Sequence, residues 1–316
     1  MAGRRDRTPA ADSPASPNTQ PGLVVSHLGK GLAVETADGR ILLCHTRRRL
    51  GGVAVGDRVL WMPCEGDQGR VEEVLPRRTL LTRPGYGGKL RYVAANLDRV
   101  YVVIAPLPEP DWLLVDQYLA VCERRDIACE IVLNKADLPE AEGILQAALE
   151  DYRRIGYPVL AASAVSGSGL DRLRRDLAGH CSMLAGQSGV GKSSMTNALL
   201  PERELRIGEI SEKSGLGRHT TTTATLYHMP GGGDLIDSPG VAVFGLAQIG
   251  ERELPSGYRE FQPWLDRCRF NDCRHADDKG CAIRDAVDSG AVSPQRYRRY
   301  LKLRERLLSG TEIDYD

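Results

Sequence analysis

One stretch, Gly186-Gln187-Ser188-Gly189-Val190-Gly191-Lys192-Ser193, limits what this chain can fold into more than any other. It fits Gly-x-x-x-x-Gly-Lys-Ser, the pattern of a phosphate loop. The apolar run Ser182-Met183-Leu184-Ala185 before it reads as a strand, and Ser194 to Leu200 after it read as a helix. Glycines let the backbone wrap an anion, so that successive N–H groups point at phosphate oxygens. The helix start adds the positive end of its dipole. Lys192 is placed to reach the β- and γ-phosphates and Ser193 to hold Mg²⁺, and Ser194 beside it belongs to the GTP-binding set.

Upstream, strands and helices alternate. Asp98 to Pro106 is a near-continuous apolar run, as in a buried parallel strand. A helix is predicted from about Asp111 to Arg125, a strand over Cys129 to Leu133, and a helix from about Glu140 to Ile155. Pro158 to Ala162 reads as a third strand and Gly169 to Leu177 as a further helix. This alternation predicts a doubly wound α/β domain with its binding loops at the C-terminal ends of the strands.

The second strand runs directly into Asn134-Lys135-Ala136-Asp137. A carboxylate at Asp137 accepts hydrogen bonds from guanine N1–H and the N2 amino group, a donor pair that adenine lacks. Sites built to hydrogen-bond a substrate group reject analogues without it by about 10⁴–10⁵-fold. Asn134 would bond locally and Lys135 would lie over the base. Ser163-Ala164, at the end of the third strand, suits the loop whose backbone N–H meets guanine O6. Alone, Asp137 before Leu138-Pro139 reads equally well as a helix N-cap. The phosphate loop in the same domain favours guanine.

Downstream lies Gly215-Leu216-Gly217-Arg218-His219 and then Thr220-Thr221-Thr222-Thr223, a pattern for a switch loop. Thr221 is the first candidate for Mg²⁺ and Thr220 the second, while the remaining threonines begin a β-branched strand. Asp234-Leu235-Ile236-Asp237-Ser238-Pro239-Gly240 reads as a strand ending in Asp-x-x-Gly. Asp237 would hold Mg²⁺ through water, and the Gly240 N–H would reach the γ-phosphate. Ordinary small GTPases begin with the phosphate loop. Here the guanine motif precedes it, which is a circular permutation, tolerated because chain ends usually lie close together. The position after Asp-x-x-Gly, where Ras-like enzymes carry a water-orienting Gln, is Val241. Slow intrinsic hydrolysis is therefore expected, with Lys192 and His219 as the in-chain catalytic candidates.

At 316 residues, two or three domains are expected. Formal net charge is zero, so nucleic-acid binding must come from local patches rather than a global field. No apolar run approaches the ~20 residues of a membrane span, and no secretory h-region follows the N-terminal arginines. A cytoplasmic protein without membrane contact is expected. Residues 1–20, rich in Pro, Ala and Ser, read as a disordered tail. Residues 21–85 carry short apolar alternations at Gly31–Val34, Ile41–Cys44, Val59–Trp61 and Gly69–Val71, separated by turn signals. They predict a small β-barrel of the oligonucleotide-binding (OB) type, with Trp61 in its core. Arg47-Arg48-Arg49 forms either an RNA-binding face or a solvated basic loop. Residues 92–245 make the GTPase domain and 246–316 the last one. There Cys268, Cys273, His275 and Cys281, spaced Cys-x₄-Cys-x-His-x₅-Cys, offer a closed tetrahedral shell for one structural Zn²⁺. A helix over Gln295 to Leu308 carries Arg298 and Arg299 among other bases. It is either a phosphate-contacting face or a solvated helix packing its Tyr and Leu.

Together Asn134-Lys135-Ala136-Asp137, the phosphate loop after it, Gly217-Arg218-His219-Thr220-Thr221-Thr222, Asp237-Ser238-Pro239-Gly240 and the Cys268, Cys273, His275, Cys281 cluster resemble a known family. It is the bacterial small-ribosomal-subunit-dependent GTPases called RsgA or YjeQ. The resemblance covers roughly residues 21–305. It implies an OB-type barrel, a circularly permuted GTPase domain and a C-terminal helical zinc-binding domain. It further implies late maturation of the small ribosomal subunit, contact with its rRNA, and GTP hydrolysis to GDP that the subunit stimulates. A monomer is expected. The rival readings are a nucleotide-gated RNA-binding adaptor with negligible turnover, which Val241 permits, and a nucleic-acid-dependent ATPase, which Asp137 opposes.

Overall fold

The protein is described by a computed structural model over residues 18–28, 31–47, 50–66, 68–84, 90–200, 224–238 and 249–309. Five strands open the fold: β1 (Gln20–Leu28), β2 (Gly31–Thr36), β3 (Ile41–Thr46), β4 (Arg58–Cys64) and β5 (Gln68–Val74). Their order is β1-β2-β3-β5-β4, and β4 returns to β1 and closes the barrel. Only β3 and β5 run parallel within it. Alternating side chains fill the interior, among them Val24, Val34, Cys44, Val59, Trp61 and Val71. Trp61 is a core residue, as its sequence context predicts, and its indole N–H donates to the Pro21 carbonyl at 3.2 Å. β1 is absent from the predicted apolar alternations, and its Pro21 and Gly22 pair with β4.

A two-stranded ribbon, β6 (Leu80–Pro84) with β7 (Leu90–Ala95), leads into the α/β domain. Its elements are β8 (Arg99–Ile104), α1 (Trp112–Arg124), β9 (Ala128–Leu133), α2 (Ile144–Ile155), β10 (Val159–Ala161), α3 (Leu170–Leu177), β11 (Cys181–Ala185), α4 (Lys192–Leu199), β12 (Thr225–His228) and β13 (Asp234–Asp237). The sheet order is β10-β9-β8-β11-β13-β12. All neighbours are parallel except β12 with β13. The order in which strands are added reverses between β8 and β11, the switch point at which open α/β sheets bind ligands. The strand at the centre, β8, is the apolar run that needs cover on both faces.

Helix α1 begins at Asp111, whose carboxylate accepts the backbone N–H groups of Leu113 and Leu114, both at 3.0 Å. Residues 114–122 are all buried. A helix buried all round needs a second partner besides the sheet, and the C-terminal module supplies it. That module consists of 3-10 segments (Leu254–Gly257 and Arg259–Arg267), α5 (Ala282–Asp288) and α6 (Pro294–Ser309). Its Leu254, Tyr258, Phe261, Tyr300 and Leu303 join one core with α1. Tyr258 stacks on Phe261 at 4.8 Å, and Tyr300 meets both edge-on at 5.5 and 5.1 Å.

A buried ion network fixes the same joint. Asp116 accepts from Arg296, from Arg299 and from the Tyr152 hydroxyl. Arg296, only 1% exposed, also donates through Nε to Glu260 at 2.7 Å. Burial works against the Arg296 charge, but Asp116 and Glu260 outweigh it and hold its pKa above the usual guanidinium value. Removing one partner from such a buried pair costs about 3–5 kcal/mol, because an uncompensated charge stays inside.

The barrel is joined to the α/β domain at β12. Ser26 of β1 pairs with Thr225, and its hydroxyl donates to the Ala224 carbonyl at 3.0 Å. Nearby, His228 bridges two carboxylates: Nδ1 lies 2.6 Å from Asp234 and Nε2 lies 2.6 Å from Glu35 of β2. The hydrogen bonds to Asp234 and then Glu35 raise the imidazole pKa from 6.5 to about 9. A pKa raised by folding contributes stability that is complete below the unfolded value and fades as pH climbs through the folded one. Melting temperature should therefore fall between about pH 7 and 10, and His228→Gln should flatten that part of the profile. Identical profiles for the two chains would remove the clamp from the account.

Candidate nucleotide site and metal centre

The phosphate loop runs from the end of β11 to the start of α4, with Gly191 at the helix N-cap. Two of its glycines are required by geometry. Gly186 has φ 147°, and a Cβ there would lie 2.2 Å from the Val103 carbonyl oxygen of β8. Gly191 has φ 93°, and a Cβ would lie 2.4 Å from Asn134 Nδ2. Any side chain at either position would push the loop off its neighbours. Lys192 Nζ lies along the loop and donates to the carbonyls of Gly186 at 2.6 Å and Gln187 at 2.8 Å. Burial lowers its pKa, and Asp237 opposes that shift. Val190 is buried, while Ser188, Gly189, Ser193 and Ser194 are exposed at the mouth.

Asn134 ties three of the predicted motifs together. Its Nδ2 donates to the Val190 carbonyl at 2.8 Å, and its Oδ1 accepts the Ala164 N–H at 3.2 Å. Lys135, at φ 57°, reaches across to the phosphate loop and donates to the carbonyls of Gly189 at 2.9 Å and Leu107 at 2.7 Å. Ser163 is buried, and its hydroxyl accepts the N–H groups of Val165 at 3.2 Å and Ser166 at 3.0 Å, which shapes the loop after β10. Asp137 is exposed beside it. At the end of β13, Asp237 is buried. The guanine motif, the Ser-Ala loop, the phosphate loop and Asp237 thus all stand at the C-terminal ends of β9, β10, β11 and β13. His219, Thr220, Thr221, Gly240 and Val241 lie outside the described residues, as do Arg48 and Arg49.

One member of the loop does something the sequence does not announce. Gln187 Oε1 accepts the Asp111 N–H at 2.7 Å, and its Nε2 donates to the Glu109 carbonyl at 2.9 Å. It holds the segment between β8 and α1 against the phosphate loop. No local pattern marks this contact, which spans more than seventy residues.

In the C-terminal module the ligand atoms of Cys268, Cys273, His275 and Cys281 all lie within 4.8 Å of one another. His275 Nδ1 is 3.4 Å from Cys268 Sγ and 3.6 Å from Cys281 Sγ. Thiolates about 2.3 Å from one tetrahedral ion are about 3.8 Å apart, so the donor set fits a metal ion. The loop is prepared for it. His275 takes φ 56°, Asp278 accepts the N–H groups of Arg274 at 3.0 Å and Ala276 at 3.4 Å, and the Tyr297 hydroxyl donates to the His275 carbonyl at 2.9 Å. Burial pushes the Cys273 thiol up to about 12, and a bound cation reverses that by displacing the proton.

The basic candidates separate. Arg298 is exposed, whereas Arg299 is largely buried, its side chain 18% exposed and paired with Asp116. The Arg299 charge is therefore engaged inside the molecule rather than presented to phosphate. Arg47 is exposed and pairs with Glu72 at 2.6 Å. Among the described residues no helix is long and apolar enough to cross a membrane.

The model of the family described as RsgA GTPase matches residues 74–247. The chain is 46% identical over 299 residues to the small ribosomal subunit biogenesis GTPase RsgA of Pseudomonas aeruginosa, an alignment covering 94% of this chain and 87% of that one. It is also 46% identical over 302 residues to the protein of that name from Azotobacter vinelandii, with the same coverage. The crystal structure of YjeQ from Thermotoga maritima matches with a TM-score of 0.73 at 33% identity, covering 93% of this chain and all of that one. YloQ, described as a circularly permuted GTPase, matches with a TM-score of 0.70 at 25% identity, covering 96% of this chain. A closed five-stranded barrel, a nucleotide site assembled in permuted order and a Cys₃His cluster thus coincide with matches along nearly the whole length, and the chain belongs to the RsgA family of circularly permuted GTPases.

Proposed function

We propose that this GTPase acts in late maturation of the small ribosomal subunit and that the assembled subunit triggers its hydrolysis of GTP. The observation that carries the reading is Asn134, which ties the guanine motif, the Ser-Ala loop and the phosphate loop into one site. Relatives 46% identical over 94% of the chain are named for small-subunit biogenesis. In this reading Gly186, Gln187, Ser188, Gly189, Val190, Gly191 and Lys192 hold the phosphates. Asn134, Lys135, Asp137, Ser163 and Ala164 hold the base, and Gly240 meets the γ-phosphate. Ser193, Asp237 and Thr221 (or Thr220) hold Mg²⁺, which neutralises charge on the transferring phosphoryl group. His219 and Lys192 serve hydrolysis. Zn²⁺ fills the Cys₃His shell, which leaves no open position for catalysis. The barrel, through Arg47, Arg48 and Arg49, and the C-terminal module, through Arg298, contact rRNA. The protein works as a cytoplasmic monomer.

The test is GTP turnover measured against added purified small subunits. Stimulation of many-fold supports the trigger, and a flat response leaves a nucleotide-gated adaptor. Base reading is checked separately. Asp137→Asn should weaken GTP binding by about 10²-fold or more and move preference toward xanthosine triphosphate, since the lost carboxylate leaves two guanine donors unmet. Unaltered preference for GTP would dismiss Asp137 from the base pocket.

A further inference from the structure

At the seam between α2 and the C-terminal module lies a cleft of about 790 Å³. Arg154 and Ile155 of α2 line one side; Trp264, Ser293 and Arg298 line the other. Its acids are already matched. Asp151 accepts from Arg154 at 2.5 Å and from the Ser293 hydroxyl at 3.2 Å, and Glu260 accepts from Arg296 at 2.7 Å. Arg298 is exposed and makes no ion pair among the described residues. Trp264 at the cleft and Phe270, six residues on in the same module, each reach the surface with an arginine beside the ring. The Arg267 guanidinium stands 5.2 Å from the centre of the half-buried Trp264 ring. The Arg269 guanidinium stands 5.4 Å from Phe270, which is 50% exposed. Residues 249–309 hold thirteen Lys and Arg against ten Asp and Glu, in a chain whose formal net charge is zero. The metal shell uses neither ring.

We infer that the C-terminal module binds single-stranded RNA, with unpaired bases stacking on Trp264 at the cleft and on Phe270, and with phosphates met by Arg298, Arg267 and Arg269. The inference rests on the reading above, in which the partner is a ribosomal subunit, and it names the form of RNA that the C-terminal module takes. A duplex hides its base faces and offers grooves and phosphates, to which an exposed ring contributes little. Unpaired bases offer their faces, and stacking on aromatic side chains with arginine nearby is tolerant of sequence. The positive balance favours a nucleic acid over an acid-poor protein surface.

The test titrates the full-length, zinc-loaded chain with a fluorescein-labelled single-stranded RNA of about 12 nucleotides and with a duplex of equal length, over a range of salt. The single strand is expected to bind more tightly. Phe270→Ala and Trp264→Ala should each weaken it by about tenfold, while Trp264→Phe keeps most of the affinity. Arg298→Ala should reduce the slope of log affinity against log salt by about 0.7. Bound zinc and melting temperature are read for every variant. Because Trp264 also packs on the core, the exposed Phe270 position gives the stacking readout without disturbing the fold. Equal affinity in Phe270→Ala and Trp264→Phe together with Trp264→Ala overturns the inference, as does a preference for duplex. If the aromatic variants lower subunit-stimulated hydrolysis but not RNA affinity, a ribosomal protein occupies the face and the RNA assignment is overturned. Absence of any stimulation in the parent chain is a separate result, which strikes the function proposed above.

Discussion

Lys192→Ala is expected to lower GTP turnover by about 10³-fold or more. The reason lies in where the ammonium group sits. Nζ is held between the Gly186 and Gln187 carbonyls, inside the loop proposed to hold the phosphates. In the transition state of phosphoryl transfer, charge spreads over the γ-phosphoryl oxygens, and positioning plus electrostatic stabilisation supply almost all of the catalysis. The loop N–H groups survive the substitution, so some nucleotide binding should remain, and the loss should fall mainly on kcat. Lys192→Arg should not restore the rate, because a planar fork cannot replace a compact ammonium between two carbonyls 2.6 and 2.8 Å away. Phosphate release at saturating GTP is the measurement. Near-normal release from Lys192→Ala would show that the γ-phosphate is not bound here.

Removing the metal should have the largest effect on stability. Structural zinc contributes about 10–16 kcal/mol of apparent free energy in small modules, against a net stability of about 5–15 kcal/mol for a whole domain. The segment from Cys268 to Cys281 has little regular structure of its own: the ligands hold a loop that ends at the first turn of α5. Chelation near neutral pH, or Cys281→Ser, should therefore open this segment to protease and change the emission of Trp264. The damage should spread. Asp116 faces Arg296 and Arg299 of the same module, and a loosened α6 leaves that carboxylate buried without its two cations. A chain that keeps its melting temperature and protease resistance after complete metal removal would show that the cluster is not structural.

Much of the nucleotide site was legible because its parts are local. A phosphate loop needs a strand, a glycine turn and a helix within about twenty residues, and Asn134-Lys135-Ala136-Asp137 follows its strand directly. The Cys₃His cluster is legible for the same reason. What the sequence hides are contacts between distant residues. Gln187 looks like an ordinary loop residue, yet its side chain secures the entry to α1. Arg299 looks like one base in a basic helix, yet Asp116, nearly two hundred residues earlier, claims it. There is one readable clue to that pair. Asp116 sits among Leu113, Leu114, Val115, Tyr118 and Leu119, and an acid buried in a largely apolar stretch of helix calls for a partner from elsewhere. The His228 bridge to Glu35 leaves no such trace, because both residues lie in ordinary strand positions.

The single meeting point of β1 and β12, at Ser26 and Thr225, has a consequence for how the chain behaves in pieces. On the α/β side, β12 is the last strand of the sheet. Its outer row of N–H and C=O groups would be an open template for pairing with another chain. The barrel packs against that edge at Ser26 and Thr225, so removing it would also strip a protective contact. A fragment trimmed of residues 18–74 would gain a sticky edge as well as lose the barrel's proposed contact surface. Weak activity from such a fragment would report self-association as readily as lost recognition, and the barrel's contribution is better read from surface substitutions than from deletion.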